Sequence, residues 1–474
     1  MSFPLEAQVW PIWILLGGFL FMLIWEAMFK EKGRKWLVEI SSLFLLMALI
    51  SNGILIFKTH GMGTAFFKGT LIEDTLALKT NFIVLIGAFW ISVFGFSKLL
   101  KKKSVTGEFF ALIFSASAGM IILIAAQEWI TLIVGLELAS LSSYALIGYL
   151  RTEEHSVEAA LKYFLMSVFA STFLLFGISF LYGLSGRLEF NKIQHALNLT
   201  SNPSLLGMAT ILLIIGLGFK VGVAPFHFWA PEVYDGTSST VAGFLATAFK
   251  AAVAVAFLRV FLQIAQLQII AKNWFVILAG LTMVVGNIGA LVQTRVKKML
   301  AYSSVAHVGY LLIAFTILGQ ASSNQIAQVV YFYLFAYALM TLGAFGWVGF
   351  FSKHEDIEIH EYNGMGNQYP WLAGMMVVFL FSLAGIPPTI GFFAKYYIFK
   401  LAVAHHQIGL VIFGVINSLI SMVYYLKLVI ALFMKRAPMD NNFSFIDQHE
   451  KIIPFILFIF SIGICVLGFV PGIF

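Results

Sequence analysis

Four ionisable side chains lie inside stretches of the sequence that are otherwise apolar, namely Glu137, Lys220, Lys250 and Lys395. A lysine or a glutamate in the middle of a lipid bilayer costs about 2.5–3.5 kcal/mol, so such a residue is expected to face protein or water rather than lipid. All four lie too deep in their stretches for the side chain to reach the membrane surface by extending. We interpret them as a charged path; buried ion pairs that only fix helix packing are the alternative.

The chemistry available to such a group of side chains is proton transfer. Burial disfavours the charged form of a lysine, and neighbouring positive charges act in the same direction, so a buried amine can release and regain a proton near neutral pH. A nearby carboxylate has the opposite effect and holds the lysine in its charged form. Three lysines and one glutamate in a shared interior could therefore pass protons when the influence of the carboxylate changes.

Two histidines are weaker candidates for the same chemistry. His307 lies in the middle of a predicted span, and it is either a hydrogen-bonded core residue or a neutral proton relay, since the pKa of histidine lies nearest to working pH. His227 follows Pro225 by two residues. It could bind carbonyl groups that the proline frees, or it could belong to the path.

Four other charged residues have simpler interpretations. Glu158 and Lys162 are spaced i, i+4 and could pair on one helix face, with a structural and a functional role equally open. Arg259 and Lys427 lie near the ends of predicted spans. Their long side chains are expected to extend to the membrane surface.

The elements that position these residues are predicted to be membrane-spanning helices. Of the 474 residues, 60% are hydrophobic and only 11% are charged, whereas a soluble domain carries about 25% charged residues. Apolar runs of about 20 residues, each long enough to cross a hydrocarbon core of about 30 Å, recur from end to end. The fourteen predicted spans are 10–29, 36–57, 80–99, 107–126, 129–150, 157–182, 205–229, 237–262, 274–294, 299–319, 326–351, 371–402, 409–434 and 452–472.

Proline is predicted to interrupt two of these spans, the seventh at Pro225 and the twelfth at the Pro387–Pro388 pair. Proline removes an N–H and clashes with the carbonyl four residues back, so a membrane helix that breaks there exposes backbone polar groups. Lys220 comes just before one break and Lys395 just after the other. Broken helices that line a wet cavity are therefore expected; a merely kinked packing helix is the alternative.

The chain also contains an internal repeat. Residues 142–150 match residues 303–311 at six of nine positions, and the same offset of 161 aligns Glu137 with Lys298. Each copy is followed by one of the two spans that proline interrupts. Five predicted helices separate the copies, and an odd number makes the second copy enter the membrane from the opposite side. The pattern predicts an inverted repeat of the kind found in secondary transporters.

Cysteine usage and charge exclude several classes of function. The single cysteine, Cys465, cannot form an internal disulfide, hold an iron–sulfur cluster or complete a zinc site, and no pair of histidines suggests a haem clamp. The chain is therefore not expected to carry electrons. The net charge of +7 does not indicate a nucleic-acid partner, because most of the basic residues in loops lie on one side of the membrane. With the N-terminus outside, sixteen Lys and Arg fall in inward loops and five in outward loops, which places both termini on the outer face.

Three segments resemble signatures of one known family, the antiporter-like subunits of respiratory complex I, or NADH-quinone oxidoreductase. They are residues 219–234 (FKVGVAPFHFWAPEVY), 293–312 (QTRVKKMLAYSSVAHVGYLL) and 382–395 (SLAGIPPTIGFFAK). The resemblance covers nearly the whole chain. A mild departure is at 238–240, where the family leads one to expect a proline.

Among those subunits the chain resembles the N type, because residues 244–250 (FLATAFK) place Lys250 where that type has its eighth-helix lysine. The M type would carry a glutamate at the position of Lys395, and the L type would add a long lateral helix after the fourteenth span. The presence of the first three helices favours a bacterial or plastid form.

The resemblance implies an all-α membrane protein of about fourteen helices. Helices 4–8 and 9–13 would form two inverted five-helix repeats, with helices 7 and 12 broken. The implied organisation is three N-terminal helices at 1–105, the first repeat at 106–265, the second at 266–436 and a C-terminal helix at 437–474.

The resemblance also implies a role for each candidate in proton translocation. Glu137 would pair with Lys220, Lys250 would be the bridging lysine, His307 the central histidine and Lys395 the terminal lysine. Secondary candidates are Glu158, Lys162, His227 and Lys298. The main alternative is a subunit of a multi-subunit cation/proton antiporter, which shares the fold; another is a structural subunit that only completes the membrane arm.

The resemblance places the redox cofactors elsewhere and names the expected partners. NADH or another donor, flavin, iron–sulfur clusters and quinone would be bound by partner subunits, with no cofactor or metal in this chain. The expected partners are the M-type subunit, small K-, J- and A-type subunits, the lateral helix of the L-type subunit and the lipid bilayer, with no nucleic acid. The expected location is the bacterial cytoplasmic membrane.

Overall fold

The computed structural model describes residues 9–58, 63–101, 106–197, 202–351, 358–436 and 452–469. Both predicted outer termini, part of the basic loop at 98–103 and the polar connector at 435–451 lie wholly or partly outside the described residues. The same is true of the last residues of the fourteenth predicted span, 470–472.

Helices dominate the described residues, and their bounds follow the apolar runs. They are α1 Trp10–Gly33, α2 Leu37–Lys58, α3 Thr75–Lys101, α4 Gly107–Ala125, α5 Trp129–Ile147, α6 Glu154–Ser185, α7 Phe190–Leu197, α8 Pro203–Val221, α9 Trp229–Gly236, α10 Ser239–Phe244, α11 Lys250–Gln263, α12 Ala265–Leu291, α13 Val296–Phe315, α14 Ser323–Phe351, α15 Met365–Gln368, α16 Pro370–Ala384, α17 Ile390–Ala404, α18 Ile408–Met434 and α19 Ile452–Phe469. Within the described part of the chain, thirteen helices are long and apolar enough to cross a membrane. The remaining predicted span, 371–402, is the broken pair α16 and α17.

The chain forms two compact units. The first comprises Met1–Val221 and Thr247–Ala271, and the second comprises Gly222–Ala246 and Lys272–Phe474. The chain leaves the first unit at the end of α8 and returns to it three residues before Lys250. The two short helices between these points, α9 and α10, pack on α13 and α14 of the second unit.

Both predicted proline breaks are present. Helix α8 ends at Val221, four residues before Pro225, and Gly222 follows with a φ of +91°. Helix α16 ends at Ala384, and Gly385 takes a φ of +86° before α17 begins at Ile390. Glycine adopts this left-handed conformation without steric cost, so the chain can turn at once where the helix stops.

In the first unit, α4 and α5 approach until their backbones touch. A Cβ added to Gly119 would lie 2.5 Å from the backbone nitrogen of Ala139, and one added to Gly135 would lie 2.6 Å from that of Leu123. Small residues at helix contacts are what membrane proteins use in place of a hydrophobic driving force. This contact fixes the position of α5, the helix that carries Glu137.

We expect Gly119→Ala to destabilise the first unit by about 1–3 kcal/mol, because the added methyl group meets backbone that cannot rotate away. Gly207→Ala on α8 is the matched control, since nothing lies within 4 Å of its added Cβ. The measurement is the apparent unfolding temperature of each purified variant in detergent. Equal temperatures for the two variants would contradict the close contact.

A β-hairpin, which the sequence did not predict, connects α2 and α3. Its strands are β1 Thr64–Phe66 and β2 Leu71–Glu73, paired antiparallel with Thr64 opposite Glu73. The hairpin lies over the connection between α4 and α5, because Leu71 forms a bridge with Ala126 and the N–H of Gln127 donates to the carbonyl of Thr70 over 2.9 Å.

The expectation that Arg259 extends to the membrane surface is wrong. Its side chain is 5% exposed and binds both carboxylate oxygens of Asp74, over 2.8 Å and 2.9 Å. The residue between β2 and α3, Asp74, supplies this carboxylate. The apolar pattern of α11 alone does not predict such a partner.

Candidate functional site

Lys220 occupies the last turn of α8 with its side chain fully buried. The ammonium group donates to the hydroxyl oxygens of Ser167 (2.7 Å), Ser140 (3.0 Å) and Tyr144 (3.4 Å). These partners come from α5 and α6, and all of them are neutral. A hydroxyl both donates and accepts hydrogen bonds, so it can stabilise either the charged or the neutral form of the amine.

The predicted pair of Glu137 and Lys220 is brought together, but loosely. The carboxylate oxygen lies 3.9 Å from the ammonium nitrogen, which is within range of an ion pair and beyond that of a hydrogen bond. The same oxygen accepts a hydrogen bond of 2.8 Å from Ser171. Glu137 therefore stabilises the charge of Lys220 without holding its protons.

Helix α6 contributes one serine to each member of this pair. Ser167 binds the ammonium group of Lys220, and Ser171 binds the carboxylate of Glu137. The two serines are four residues apart, so they lie on the same face of the helix in consecutive turns. The result is a row of hydroxyl groups beside the ion pair.

Lys250 is the first residue of α11 and is 3% exposed. A single π-helical turn, Leu245–Phe249, comes directly before it. Such turns are rare and are found frequently at functional sites, because the extra residue re-aims the side chains around it. The lysine lies within the first unit, as Glu137 and Lys220 do.

In the second unit, His307 is buried on α13 and bonded to Tyr333 of α14. The imidazole Nδ1 lies 2.7 Å from the phenol oxygen, which is also 3.1 Å from the carbonyl oxygen of His307. A carbonyl can only accept, and the phenol has a single proton to give. If the phenol donates to this carbonyl, Nδ1 of a neutral ring donates to the phenol and Nε2 carries the lone pair. If the phenol donates to Nδ1, Nε2 carries the hydrogen, so the tautomer of His307 follows from the direction of this one hydrogen bond.

Lys395 is buried beside the break between α16 and α17. Its ammonium group donates to the carbonyl oxygens of Ala384 (2.9 Å) and Leu383 (3.1 Å) and to the hydroxyl of Ser418 (2.9 Å). The last carbonyls of a helix lack partners within it and carry the negative end of the helix dipole. The broken helix therefore supplies the acceptors that hold this charge.

Tyr310 contacts both candidates of the second unit. The ammonium nitrogen of Lys395 lies 4.7 Å from the centre of the phenol ring, which is the geometry of a cation–π interaction. The imidazole ring of His307 lies 5.9 Å from the same ring, centre to centre. Tyr310 is thus the shared neighbour of the histidine and the lysine.

Two secondary candidates lie apart from the buried group of the first unit. Glu158 and Lys162 form an ion pair of 2.8 Å on α6, with 58% and 41% of their side chains exposed. Exposed pairs of this kind contribute little to stability in water. The spacing correctly indicated that they pair on one helix face.

The other secondary candidates belong to the second unit. Lys298, at the start of α13, lies 3.4 Å from Glu232 and 3.6 Å from Asp235. His227 is buried, and its ring is hydrogen-bonded to the backbone of Pro225. The imidazole therefore binds backbone at the proline break, and its place in the path stays a prediction.

The sequence interpretation missed the residues that contact the candidate lysines, Glu137 and His307. Those are the hydroxyl-bearing side chains Ser140, Tyr144, Ser167, Ser171, Tyr310, Tyr333 and Ser418. A signal was present for the first two, because Glu137, Ser140 and Tyr144 follow one another at helical spacing on one face of α5. The others come from helices whose packing the sequence does not reveal.

Comparison with known proteins then decides the family. Residues 126–421 match the family model described as NADH:quinone oxidoreductase/Mrp antiporter, transmembrane. The chain belongs to this family. A relative named NADH-quinone oxidoreductase subunit N 1, from Solibacter usitatus, is 36% identical over 461 residues, covering 95% of this chain and 92% of the relative. The chain is accordingly a multi-pass integral membrane protein.

Solved structures agree with this family and its fold. One chain of respiratory complex I from Thermus thermophilus with bound Aureothin superposes with a TM-score of 0.81 and 30% identity, over 98% of both chains. A chain of the Mrp complex from Dietzia sp. DQ12-45-1b has a TM-score of 0.86 at 18% identity, covering 98% of this chain and 95% of that one. At that identity the second likeness concerns the fold alone.

Proposed function

We propose that this member of the family translocates protons as the N-type antiporter-like subunit of a NADH-quinone oxidoreductase. The observation that carries the proposal is the way in which two buried lysines are held. Lys220 is bound by hydroxyl groups with a carboxylate 3.9 Å away, and Lys395 by carbonyls and one hydroxyl. Neither ammonium group donates a hydrogen bond to a carboxylate, so release of a proton breaks hydrogen bonds to neutral acceptors only.

The proton path consists of Glu137, Lys220 and Lys250 in the first unit and of His307 and Lys395 in the second. In the first unit the carboxylate sets the charge of Lys220: when its influence weakens, the lysine releases a proton, and when it returns, the lysine takes one up. In the second unit, the imidazole of His307 accepts a proton, and Lys395 is the terminal carrier. Glu158, Lys162, His227 and Lys298 remain secondary candidates.

Electron transfer takes place in partner subunits, which bind NADH or another donor, flavin, iron–sulfur clusters and quinone. This chain carries no redox centre of its own. Its partners are the M-type antiporter-like subunit, the small K-, J- and A-type subunits and the lateral helix of the L-type subunit. The excess of basic residues in one set of loops puts both termini on the outer side of the bacterial cytoplasmic membrane.

Glu137→Gln tests the role of the carboxylate. The variant keeps a group that Ser171 can bind but removes the charge beside Lys220. We expect proton translocation to fall roughly tenfold or more, because Glu137 acts on the proton through Lys220; a group that transfers the proton itself contributes roughly 10²–10⁴-fold. The measurement is acidification of proteoliposomes that contain the purified complex, after addition of NADH.

The control for this variant is Glu39→Gln, which removes an exposed carboxylate on α2 and is expected to pump as the unmodified complex does. Full pumping by Glu137→Gln would refute the assigned role. The cation/proton antiporter alternative requires sodium to move as protons return, without quinone reduction, in the same proteoliposomes. The structural alternative requires the charge substitutions to prevent assembly rather than transport.

A further inference from the structure

A second buried carboxyl group lies outside the path described above. Glu73, the last residue of the hairpin, is 2% exposed. Among the described residues its Oε2 has no hydrogen-bond partner. Burying a carboxylate without a partner is strongly unfavourable, and a group in that position binds a proton instead.

The neighbouring ion pair leaves Glu73 without a counter-ion. Arg259 binds both oxygens of Asp74, and its Nε donates to the carbonyl of Ile124 over 2.9 Å. Asp74 also accepts a hydrogen bond of 2.8 Å from the N–H of Ala77. Among the described residues, Asp74 and Arg259 are the charged groups that act on Glu73.

The charges of Glu73, Asp74 and Arg259 also favour a protonated carboxyl group in this cluster. Two carboxylates share one guanidinium, so the cluster is neutral only when one carboxyl group is protonated. Burial raises the pKa of Glu73 to about 8, with Asp74 adding to the effect and Arg259 opposing it. Burial would also raise the pKa of Asp74, but the hydrogen bonds and charge of Arg259 outweigh it, and the pKa falls below its usual value.

The position of Glu73 is suited to proton exchange. Asp74 beside it has 28% of its side chain exposed, so the cluster reaches the protein surface. The hairpin lies at the end of the first unit where α5 begins, and Glu137 comes eight residues after the first residue of α5. At 1.5 Å per residue, the path of the first unit begins about 12 Å from this end.

We propose that Glu73 is a further proton-binding site, through which the first unit exchanges protons with water at its hairpin end. The step is a simple dissociation: the O–H bond of the Glu73 carboxyl breaks, the proton passes to water beside Asp74, and the remaining charge lies next to Arg259. The inference rests on the proposed proton translocation.

The first test is Glu73→Gln in the purified complex in proteoliposomes. The amide resembles the protonated carboxyl in shape and charge, so assembly is expected to be kept while proton translocation falls roughly tenfold or more. Glu189→Gln is the control, because Glu189 lies at the same end of the unit but is exposed and paired with Lys192. Full pumping by Glu73→Gln would overturn the inference. If Lys220→Ala also pumps fully, the proposed function fails with it.

The second test observes the proton itself. Infrared spectra of the purified complex between pH 6 and pH 10 should contain a carbonyl band from a protonated carboxyl, which disappears with a midpoint near pH 8 and is missing from Glu73→Gln. Asp74→Asn should move the midpoint to lower pH, because Arg259 then becomes the counter-ion of Glu73. Absence of a band that depends on Glu73, or an unchanged midpoint in Asp74→Asn, would overturn the inference.

Discussion

Lys220→Ala is expected to leave the complex assembled and to lower its proton translocation roughly a hundredfold or more. The substitution removes the amine that donates to the hydroxyl groups of Ser140, Tyr144 and Ser167. Those hydroxyls can bond one another, as Tyr144 and Ser167 already do over 2.6 Å. We therefore expect the helix packing around this site to be kept and the proton path to be lost.

The measurement is the number of protons taken up by proteoliposomes per NADH oxidised, with the amount of assembled complex determined on native gels. Lys192→Ala is the matched control, since it removes an exposed lysine of the same unit that pairs with Glu189 at the surface. A variant at Lys220 that assembles and pumps normally would refute the role of this lysine. If Lys220→Ala fails to assemble and Glu137→Gln transports protons normally, the structural alternative would be favoured.

Lys395→Ala is expected to have an effect of similar size, for a different structural reason. Its ammonium group is held by the carbonyl ends of α16, by Ser418 and by the ring of Tyr310. Without the lysine, Ser418 still donates to the carbonyl of Ala384 over 3.1 Å, so the break in the helix keeps a partner. We expect assembly to be kept and the protons carried per NADH to fall roughly a hundredfold.

The control for this second variant lies on the same helix. Lys400 is five residues further along α17 and exposed, so Lys400→Ala removes an equal charge without touching the buried site. Its pumping should match that of the unmodified complex. Equal losses in Lys395→Ala and Lys400→Ala would show that net charge matters and that the buried position does not.

The two units hold a buried lysine by different means. In the first, the acceptors are side-chain hydroxyls, with the carboxylate of Glu137 at a distance. In the second, they are backbone carbonyls that become available where α16 stops at Ala384. Both arrangements bond the ammonium group to neutral acceptors, and in neither does a carboxylate accept a hydrogen bond from it. An amine held in this way is suited to carrying a proton.

The spans and their breaks could be predicted from the sequence because each depends on local chemistry. Apolar runs of sufficient length must form helices in lipid, where every backbone polar group needs a partner. The helices stop before Pro225 and before the Pro387–Pro388 pair, and the glycines at 222 and 385 permit the turn. The candidate lysines were predicted in the same way. A charged residue inside a membrane span is energetically unfavourable, so we expect it to have a structural or functional role.

The hydrogen-bond and ion-pair partners of these residues could not be predicted, because they depend on contacts that sequence spacing does not encode. The partners of Lys220 come from α5 and α6, and that of His307 from α14, so their discovery required the packing of helices far apart in the chain. The ion pair of Arg259 with Asp74 joins residues 185 positions apart. The hairpin was missed because its strands have three residues each. The inverted repeat and its boundaries stay predictions.

The central claim, that protons reside on and leave the buried lysines, is tested most directly by Lys220→Arg. Arginine keeps the positive charge and can donate to the same hydroxyls, but it does not release its proton in proteins. In proteoliposomes containing the assembled variant complex, we predict NADH-driven proton uptake that is roughly a hundredfold below that of the unmodified complex. Proton uptake at the unmodified rate would show that a permanent charge suffices, and it would contradict proton transfer through Lys220.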